Sequence, residues 1–264
     1  MALNHTHQAY PNYVLEKEIE DQFNSHLDLM RFCTLDNSLV GVAGDTKKVR
    51  VYRATDATEK LAMGEGNTKN IEVRYSEKEY EILMAQNRFP YYDEEQMRDP
   101  MVVDVGVRHM TTDMFNHTQT DIFAEFNKAT QIVNASAFDF GAFVDAVAML
   151  PGENQEEREV FAFVHPNDKA AIRKAMKDDL KYVEAYVRSG YIGTVAGVNL
   201  YVKQDAVEGT ICGGTKKAVT YFNKRGVEVE QERDANIRLN EIYSRKYYMV
   251  ALTDENECFK IVKG

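Results

Sequence analysis

The segment from Val49 to Tyr92 constrains this chain's fold more than any other. VRVYR (49–53) is followed by a polar, glycine-bearing stretch, ATEKLAMGEGNTKN (57–70), and then by IEVRYSEKEYEILMAQNRFPYY (71–92), where Ile71, Val73 and Tyr75 alternate with charges. A period of two puts alternate side chains on opposite faces of a strand, so the pattern predicts a long β-hairpin over Val49–Tyr92. Arms of about ten to twelve residues would reach roughly 35 to 40 Å, and a two-stranded ribbon of that length does not hold itself together in water. It needs another surface to lie on.

The rest of the chain is long enough to build a core. With 264 residues, 44% hydrophobic and 28% charged, it has the composition of a folded soluble protein and buries about three quarters of its extended surface on folding, as one large domain or two small ones. Forty-two acidic residues against 32 basic ones give a net charge of −10. No segment gathers Lys and Arg into a stripe, which disfavours direct DNA readout. No run reaches the 18 or so apolar residues of a membrane span, and the opening MALNHTHQAY lacks the regions of a signal peptide, so a cytosolic chain without a membrane partner is expected. Cys33, Cys212 and Cys258 are odd in number, far apart and never paired as C-x-x-C, which predicts buried thiols rather than a disulfide scaffold or zinc knuckle.

Helical periodicity appears twice in long form. Leu15, Ile19, Phe23, Leu27 and Met30 recur at three and four residues and predict a helix over 13–32. Asp99-Pro100 supplies a cap and a first-turn proline for a second, long helix. Its stripes are Val103, Val107, Met110 and Met114, then Phe115, Ile122, Phe126 and Ala129, with a bend or break expected at Asn116–Thr120. Beyond residue 130 the pattern is a mixed α/β unit. A helix FGAFVDAVAML stopped by Pro151-Gly152 is followed by an unbroken apolar strand VFAFV and an Asn167-capped helix NDKAAIRKAMKDDL. The last eighty residues are strand-rich, with VNLYV, KAVTYF, VEVEQER, IRLNEIY, YYMVALT and CFKIV divided by turns.

Motifs that carry chemistry are weak. GTICGGTKK (209–217) lacks the Gly-Lys-Ser/Thr of a phosphate loop and reads as a plain loop. Gly190, Gly193 and Gly197 have the wrong spacing for a dinucleotide site and read as turn glycines. His5 and His7 lack a carboxylate or thiol to complete a metal site, and His109, His117 and His165 stand without a serine or cysteine nucleophile motif. Asp93-Glu94-Glu95 and Glu153–Glu159 read as solvated turns, and the sequons at Asn4, Asn116 and Asn134 carry no weight without a secretory signal. No catalytic, cofactor-binding or metal-binding residue is therefore assigned, and no cofactor is expected.

The order of elements resembles the major capsid proteins of tailed bacteriophages with the Hong Kong 97-type fold, over nearly the whole chain. SGYIGTVAGVNLYVKQD (189–205) resembles the family's G-x-I-G turn and following G-x-x-V strand, ahead of GTKKAVTYFNKRGVEVEQERD (214–234) and the strand pair through YYMVALTDEN (247–256). The resemblance implies an α+β Hong Kong 97-type capsid fold. Residues 1–45 would be an N-terminal arm and 46–98 an extended β-hairpin loop. Residues 99–130 and 224–264 would form a peripheral domain with a long spine helix, and 131–223 an axial domain. It further implies a non-enzymatic virion protein, assembled in the bacterial host cytoplasm. Pentamers and hexamers of the chain would close an icosahedral shell around packaged double-stranded DNA, without sequence-specific binding. Separate scaffolding, portal and decoration proteins are its expected partners, since the chain opens directly on the arm with no long charged prefix. Some relatives join subunits by Lys-Asn links. Lys60 and Lys69 near the hairpin tip are where such donors would stand, although nothing identifies a partner Asn or Glu and solvated lysines are the ordinary reading.

Three other readings stay open. An encapsulin-like compartment would share the fold and hold a cargo enzyme. A cytosolic α/β enzyme would need a site that only folding assembles. A phage protein that decorates or plugs another assembly would form one small, fixed oligomer.

Overall fold

The computed structural model of the chain describes residues 28–98, 101–151, 158–176 and 193–264. Of the helix expected over 13–32, only the end lies within them. Leu29–Phe32 is a single 3-10 turn, capped by Asp28, whose Oδ1 accepts from the Met30 N–H at 2.9 Å.

Strands β1 (Thr34–Asp36), β2 (Thr46–Ala54), β3 (Val73–Glu81) and β4 (Leu83–Tyr92) lead into two helices, α1 (Asp93–Arg98) and α2 (Met101–Phe126). A mixed segment follows: β5 (Gln131–Ala135), α3 (Phe140–Ala148), β6 (Val160–Val164) and α4 (Pro166–Ala175). Six strands close the chain: β7 (Thr194–Val195), β8 (Val198–Val202), β9 (Thr210–Gly214), β10 (Val219–Asp234), β11 (Leu239–Leu252) and β12 (Cys258–Lys263). They form a four-stranded sheet ordered β1-β10-β11-β4, a six-stranded sheet ordered β5-β12-β9-β6-β8-β7, and the separate ribbon β2-β3.

Helix α2 runs unbroken for 26 residues, about 39 Å. The expected break at Asn116–Thr120 is absent: two hydroxyls bond back to the helix's own carbonyls and one amide oxygen is engaged from outside it. Thr118 and Thr120 donate their hydroxyls to the carbonyls of Met114 and Asn116, and Gln119 Oε1 accepts from the Leu29 N–H at 2.8 Å. The helix lies on the four-stranded sheet, where Val103, Val107 and Met110 pack with Tyr91, Val229 and Ile242. Gly106 makes that approach possible: a Cβ there would sit 2.2 Å from the Phe89 ring, which outweighs the helix propensity a glycine forfeits.

The C-terminal end of α2 reaches the second sheet. Ile122, Phe123 and Phe126 enter one core with Phe32, Phe161 and Phe163, and the Phe126 ring lies 5.6 and 5.5 Å from the last two. The other side chains of the same strand, Val160, Ala162 and Val164, belong to a second core with Phe143, Ile172 and Phe259. VFAFV is apolar at every position because each of its faces meets a different core.

Several local expectations are corrected. The stretch 209–217 is not a plain loop: its middle is β9, inside the six-stranded sheet, where a Cβ on Gly213 or Gly214 would lie 2.2 Å from the Phe161 carbonyl or 2.3 Å from that of Glu257. Helix α4 is capped by His165, whose Nδ1 accepts from the Asn167 N–H at 3.2 Å, rather than by Asn167. Asp93–Glu95 opens helix α1 instead of a turn. The four strands expected over 218–252 are two long ones, because register shifts at Asn223/Arg225 and Arg225/Glu228 absorb the NKRG stretch as bulges. The second hairpin arm divides at Ile82: β3 stays with β2, while β4 pairs with β11 from Leu83↔Tyr248 to Tyr92↔Leu239. The closing strands also part company, since β12 joins β5 and β9 in the six-stranded sheet. The Asp99-Pro100 start signal, residues 152–157 and residues 177–192 lie outside the described residues.

Candidate assembly surfaces

Strands β2 and β3 are nine residues each, about 30 Å of ribbon. Their root is fastened to the body. Val49, Tyr80 and Ile82 pack on Phe222, Met249 and Ala251, Lys78 forms an ion pair with Glu255, and the Tyr80 hydroxyl donates to the Leu252 carbonyl at 3.4 Å. Further out, large side chains have no cover. Tyr52, Val73 and Tyr75 are 63%, 63% and 65% exposed, and Leu61, Met63 and Ile71 near the tip are exposed too. Tyr52 and Tyr75 stand directly opposite each other with ring centroids 6.0 Å apart.

Polar groups order the ribbon without burying it. Lys48 and Arg50 reach Glu77 at 2.9 and 2.8 Å, and hydrogen bonds from Lys48 and then Arg50 hold the Glu77 carboxyl below the usual carboxylate range. At the tip, Glu59 accepts from the Thr68 N–H and hydroxyl, both at 2.9 Å, which lowers its pKa as well. Lys69 lies 3.7 Å from Glu59, and Lys60 is exposed. Exposed pairs of this kind add little to stability. They define the shape of a projecting ribbon whose apolar side chains face water.

A groove of about 530 Å³ runs between α2 and β4, the outer strand of its sheet. Met84, Met114 and Val250 form its apolar lining, and Asp113, Asp121 and Glu125 make it acidic. Here the structure brings His117 to Tyr248: His117 Nδ1 lies 3.1 Å from the Tyr248 hydroxyl, which donates to Asp121 Oδ2 at 2.6 Å. The trio resembles a relay, but burial and the Asp121 hydrogen bond push the Tyr248 pKa up, away from an activated phenolate. Every displaced cysteine and tyrosine among the described residues moves the same way. Desolvation raises Cys33 and Cys258 to about 12, and burial or a carboxylate neighbour raises Tyr80, Tyr221 and Tyr243.

The other residues singled out in the sequence stay apart. His109 is exposed on α2, His165 caps α4, and Gly197, at φ +82°, makes the β7–β8 turn. Cys33, Cys212 and Cys258 are free and buried. His5, His7, Asn4, Gly190 and residues 153–157 lie outside the described residues. Among the described residues no three His, Cys, Asp or Glu groups cluster to hold a metal ion, and no helix is long and apolar enough to cross a membrane. The sequence did not point to the acidic groove, because its walls come from three separate segments, within 80–87, 113–125 and 248–250.

No family model matches the chain. Among curated proteins it is similar to the major capsid protein of Staphylococcus phage phiMR11, 24% identical over 261 residues that cover 95% of this chain and 92% of that protein. Among solved structures it is similar to the mature capsid of bacteriophage PhiM1, with a TM-score of 0.68 at 10% identity over 99% of this chain and 90% of that one. It is also similar to the SrpI encapsulin of Synechococcus elongatus PCC 7942, with a TM-score of 0.62 at 12% identity over 89% and 86%. The resemblance to phage major capsid proteins seen in the sequence is thus borne out, and the chain has the Hong Kong 97-type capsid fold.

Proposed function

We propose that the chain is a structural major capsid protein whose copies associate as pentamers and hexamers into an icosahedral shell. The observation that carries this reading is the ribbon: its root is packed, while Tyr52, Val73 and Tyr75 are about two-thirds exposed and none of the described residues buries them. Exposed apolar side chains on an unpaired strand edge are a liability for a free monomer and an interface for an assembling one. In this reading the four-stranded sheet with α2 is the peripheral domain, the six-stranded sheet with α3 and α4 is the axial domain, and β12 belongs to the latter. Each ribbon reaches a neighbouring subunit, so contact area accumulates over many small interfaces.

The content is packaged double-stranded DNA, held by shell closure. A chain of net charge −10 has no net attraction for DNA and does not freeze it onto the wall. Assembly takes place in the host cytoplasm, with scaffolding, portal and decoration functions supplied by separate proteins and no chemistry asked of the shell chain. A compartment holding a protein cargo is the second reading, favoured by the likeness to an encapsulin.

Light scattering behind size-exclusion chromatography, with negative-stain microscopy of each fraction, tests the assembly. Closed shells or capsomer-sized rings are expected from the intact chain. Replacing residues 58–70 by a short Gly-Ser turn should leave the subunit folded and abolish closure. A truncated chain that still closes normal shells would sink the role given to the ribbon, and nucleic acid against protein inside the particles separates the two readings.

A further inference from the structure

One face of the ribbon's root carries four residues in a block. Lys47 stands opposite Tyr80 and Val49 opposite Lys78 in the β2–β3 register, so a period of two points all four the same way. Each of them meets the body. Lys47 Nζ lies 3.2 Å from Asp36 Oδ2, 3.0 Å from Ser38 Oγ and 3.8 Å from the centre of the Phe222 ring. Lys78 pairs with Glu255, the Tyr80 hydroxyl donates to the Leu252 carbonyl, and Val49 packs with Phe222, Met249 and Ala251. On the opposite face Lys48 and Arg50 both go to Glu77, inside the ribbon.

The block is tied from two sides. Asp36 ends β1, Phe222 lies on β10, and the Asp36 carboxyl is itself fixed by the Ser38 N–H at 2.7 Å. Glu255 begins the 3-10 turn Glu255–Glu257 between β11 and β12. Apolar contact at the root resists separation but is non-directional, whereas charge-assisted hydrogen bonds and a cation over a ring fix an orientation. The covalent connections are slight by comparison. Ile82 is the single residue between β3 and β4, its N–H donates to the Asp45 carbonyl at 2.6 Å, and the neighbouring Gly44 has φ +125°. Lys224 holds the Gly44 carbonyl and so steadies this junction. Over about 30 Å of ribbon, a turn of about 15° here carries the outer end about 8 Å.

We infer that Lys47 and Lys78 are positioning residues that set the ribbon's angle to the body: their charges clasp it from two sides, and without them it swings about the Asp45–Ile82 junction. The angle is a property of the single chain. Its consequence, that subunits with an unclasped ribbon close fewer shells, rests on the proposed capsid reading.

The test places nitroxides on Arg74→Cys in the outer ribbon and Thr130→Cys on the body, and reads their separation in the full chain by pulsed electron paramagnetic resonance. Both sites are exposed and the native cysteines are buried. Labelled copies are diluted with unlabelled ones, so the distance is within one chain whether or not shells form. The parent should give one narrow distribution. Lys47→Met with Lys78→Met should broaden it about twofold or displace its maximum by about 5 Å or more. Asp36→Asn with Glu255→Gln should do the same from the body's side, with the ribbon's sequence intact. Lys47→Arg with Lys78→Arg, which keeps the charges, should keep the parent distribution, and so should Lys48→Gln on the opposite face. A distribution unmoved by both charge-removing pairs, already broad in the parent, or broadened as far by the arginines or by Lys48→Gln, would overturn the inference. The expected broadening in a chain that forms no shells would support the clasp and sink the capsid reading.

Discussion

The ribbon β2-β3 and the strand β6 are both written in β-forming residues, yet they end at opposite extremes of burial. In β6 no side chain is more than 3% exposed, because one face meets the phenylalanines around Phe126 and the other the core beneath α3 and α4. In the ribbon, Tyr52, Val73 and Tyr75 remain about two-thirds exposed, and only the root packs on the body. The contrast separates two sources of order. Strand β6 is fixed by burial within its own chain, and the ribbon by cross-strand hydrogen bonds and a fastened root. A region of the second kind can be rebuilt without unfolding the subunit, and its apolar content is available to another molecule.

The sharpest way to break this comparison is to remove packing around β6. Phe126→Ala should cost about 3 to 5 kcal/mol and Ile122→Ala about 2 to 5, read as a fall in the urea midpoint and in soluble yield. Unchanged midpoints would mean that α2 does not anchor the two sheets together.

A polar group in the packed region gives the next effect. Burial pulls the Lys246 ammonium down from its ordinary 10.5 to about 8, against a smaller opposing pull from Asp28. Below pH 8 the folded state carries the whole cost of a buried charge. Between about 8 and 10.5 the unfolded chain keeps a proton that the folded chain has lost, so stability contributed by this site rises with pH. Lys246→Met should then be more stable than the parent at pH 7, by roughly 3 to 4 kcal/mol at about 1.4 kcal/mol per pKa unit. The difference should shrink as pH rises through that window. Denaturant titrations of both proteins from pH 7 to 10.5 measure it, and a constant difference would refute the burial argument.

Gly213→Ala probes the backbone next to β6, since its Cβ would press on the Phe161 carbonyl at 2.2 Å. A loss of about 1 to 3 kcal/mol is expected, as for other overpacked sites. The smallest stability effect belongs to the ribbon. Replacing Tyr52 and Tyr75 together by serine removes one cross-strand pair, about 0.2 to 1 kcal/mol, and should barely move the subunit's unfolding while cutting the yield of closed shells. A large drop in subunit stability would erase the distinction between the two regions.

Much of the architecture was legible before the structure. The hairpin, the stripes of α2, the buried strand Val160–Val164 and the buried thiols each rest on local pattern, and all appear. What failed were choices between partners. Residues on both sides of Ile82 read as extended, so the pattern cannot show that Glu81 pairs with β2 and Leu83 with β11. Gly213 and Gly214 look like a loop because glycine has no side-chain signal, and only the nearby carbonyls of Phe161 and Glu257 explain them. The acidic groove had no signature, since its walls are assembled from separate segments.

The sequence by itself determined that the segment after Met101 is helical, that Val160–Val164 is a buried strand and that a long hairpin needs another surface to lie on. Those properties follow from periodicity and turn chemistry, which act over a few residues, whereas the likeness to capsid subunits came from a resemblance in the order of elements. Only the tertiary structure decided which strands share a sheet, that β12 leaves its neighbour β11 for the second sheet, and which polar atoms are left without partners. These outcomes depend on packing between segments far apart in the chain, where the free energy of burial, and not local preference, selects the arrangement.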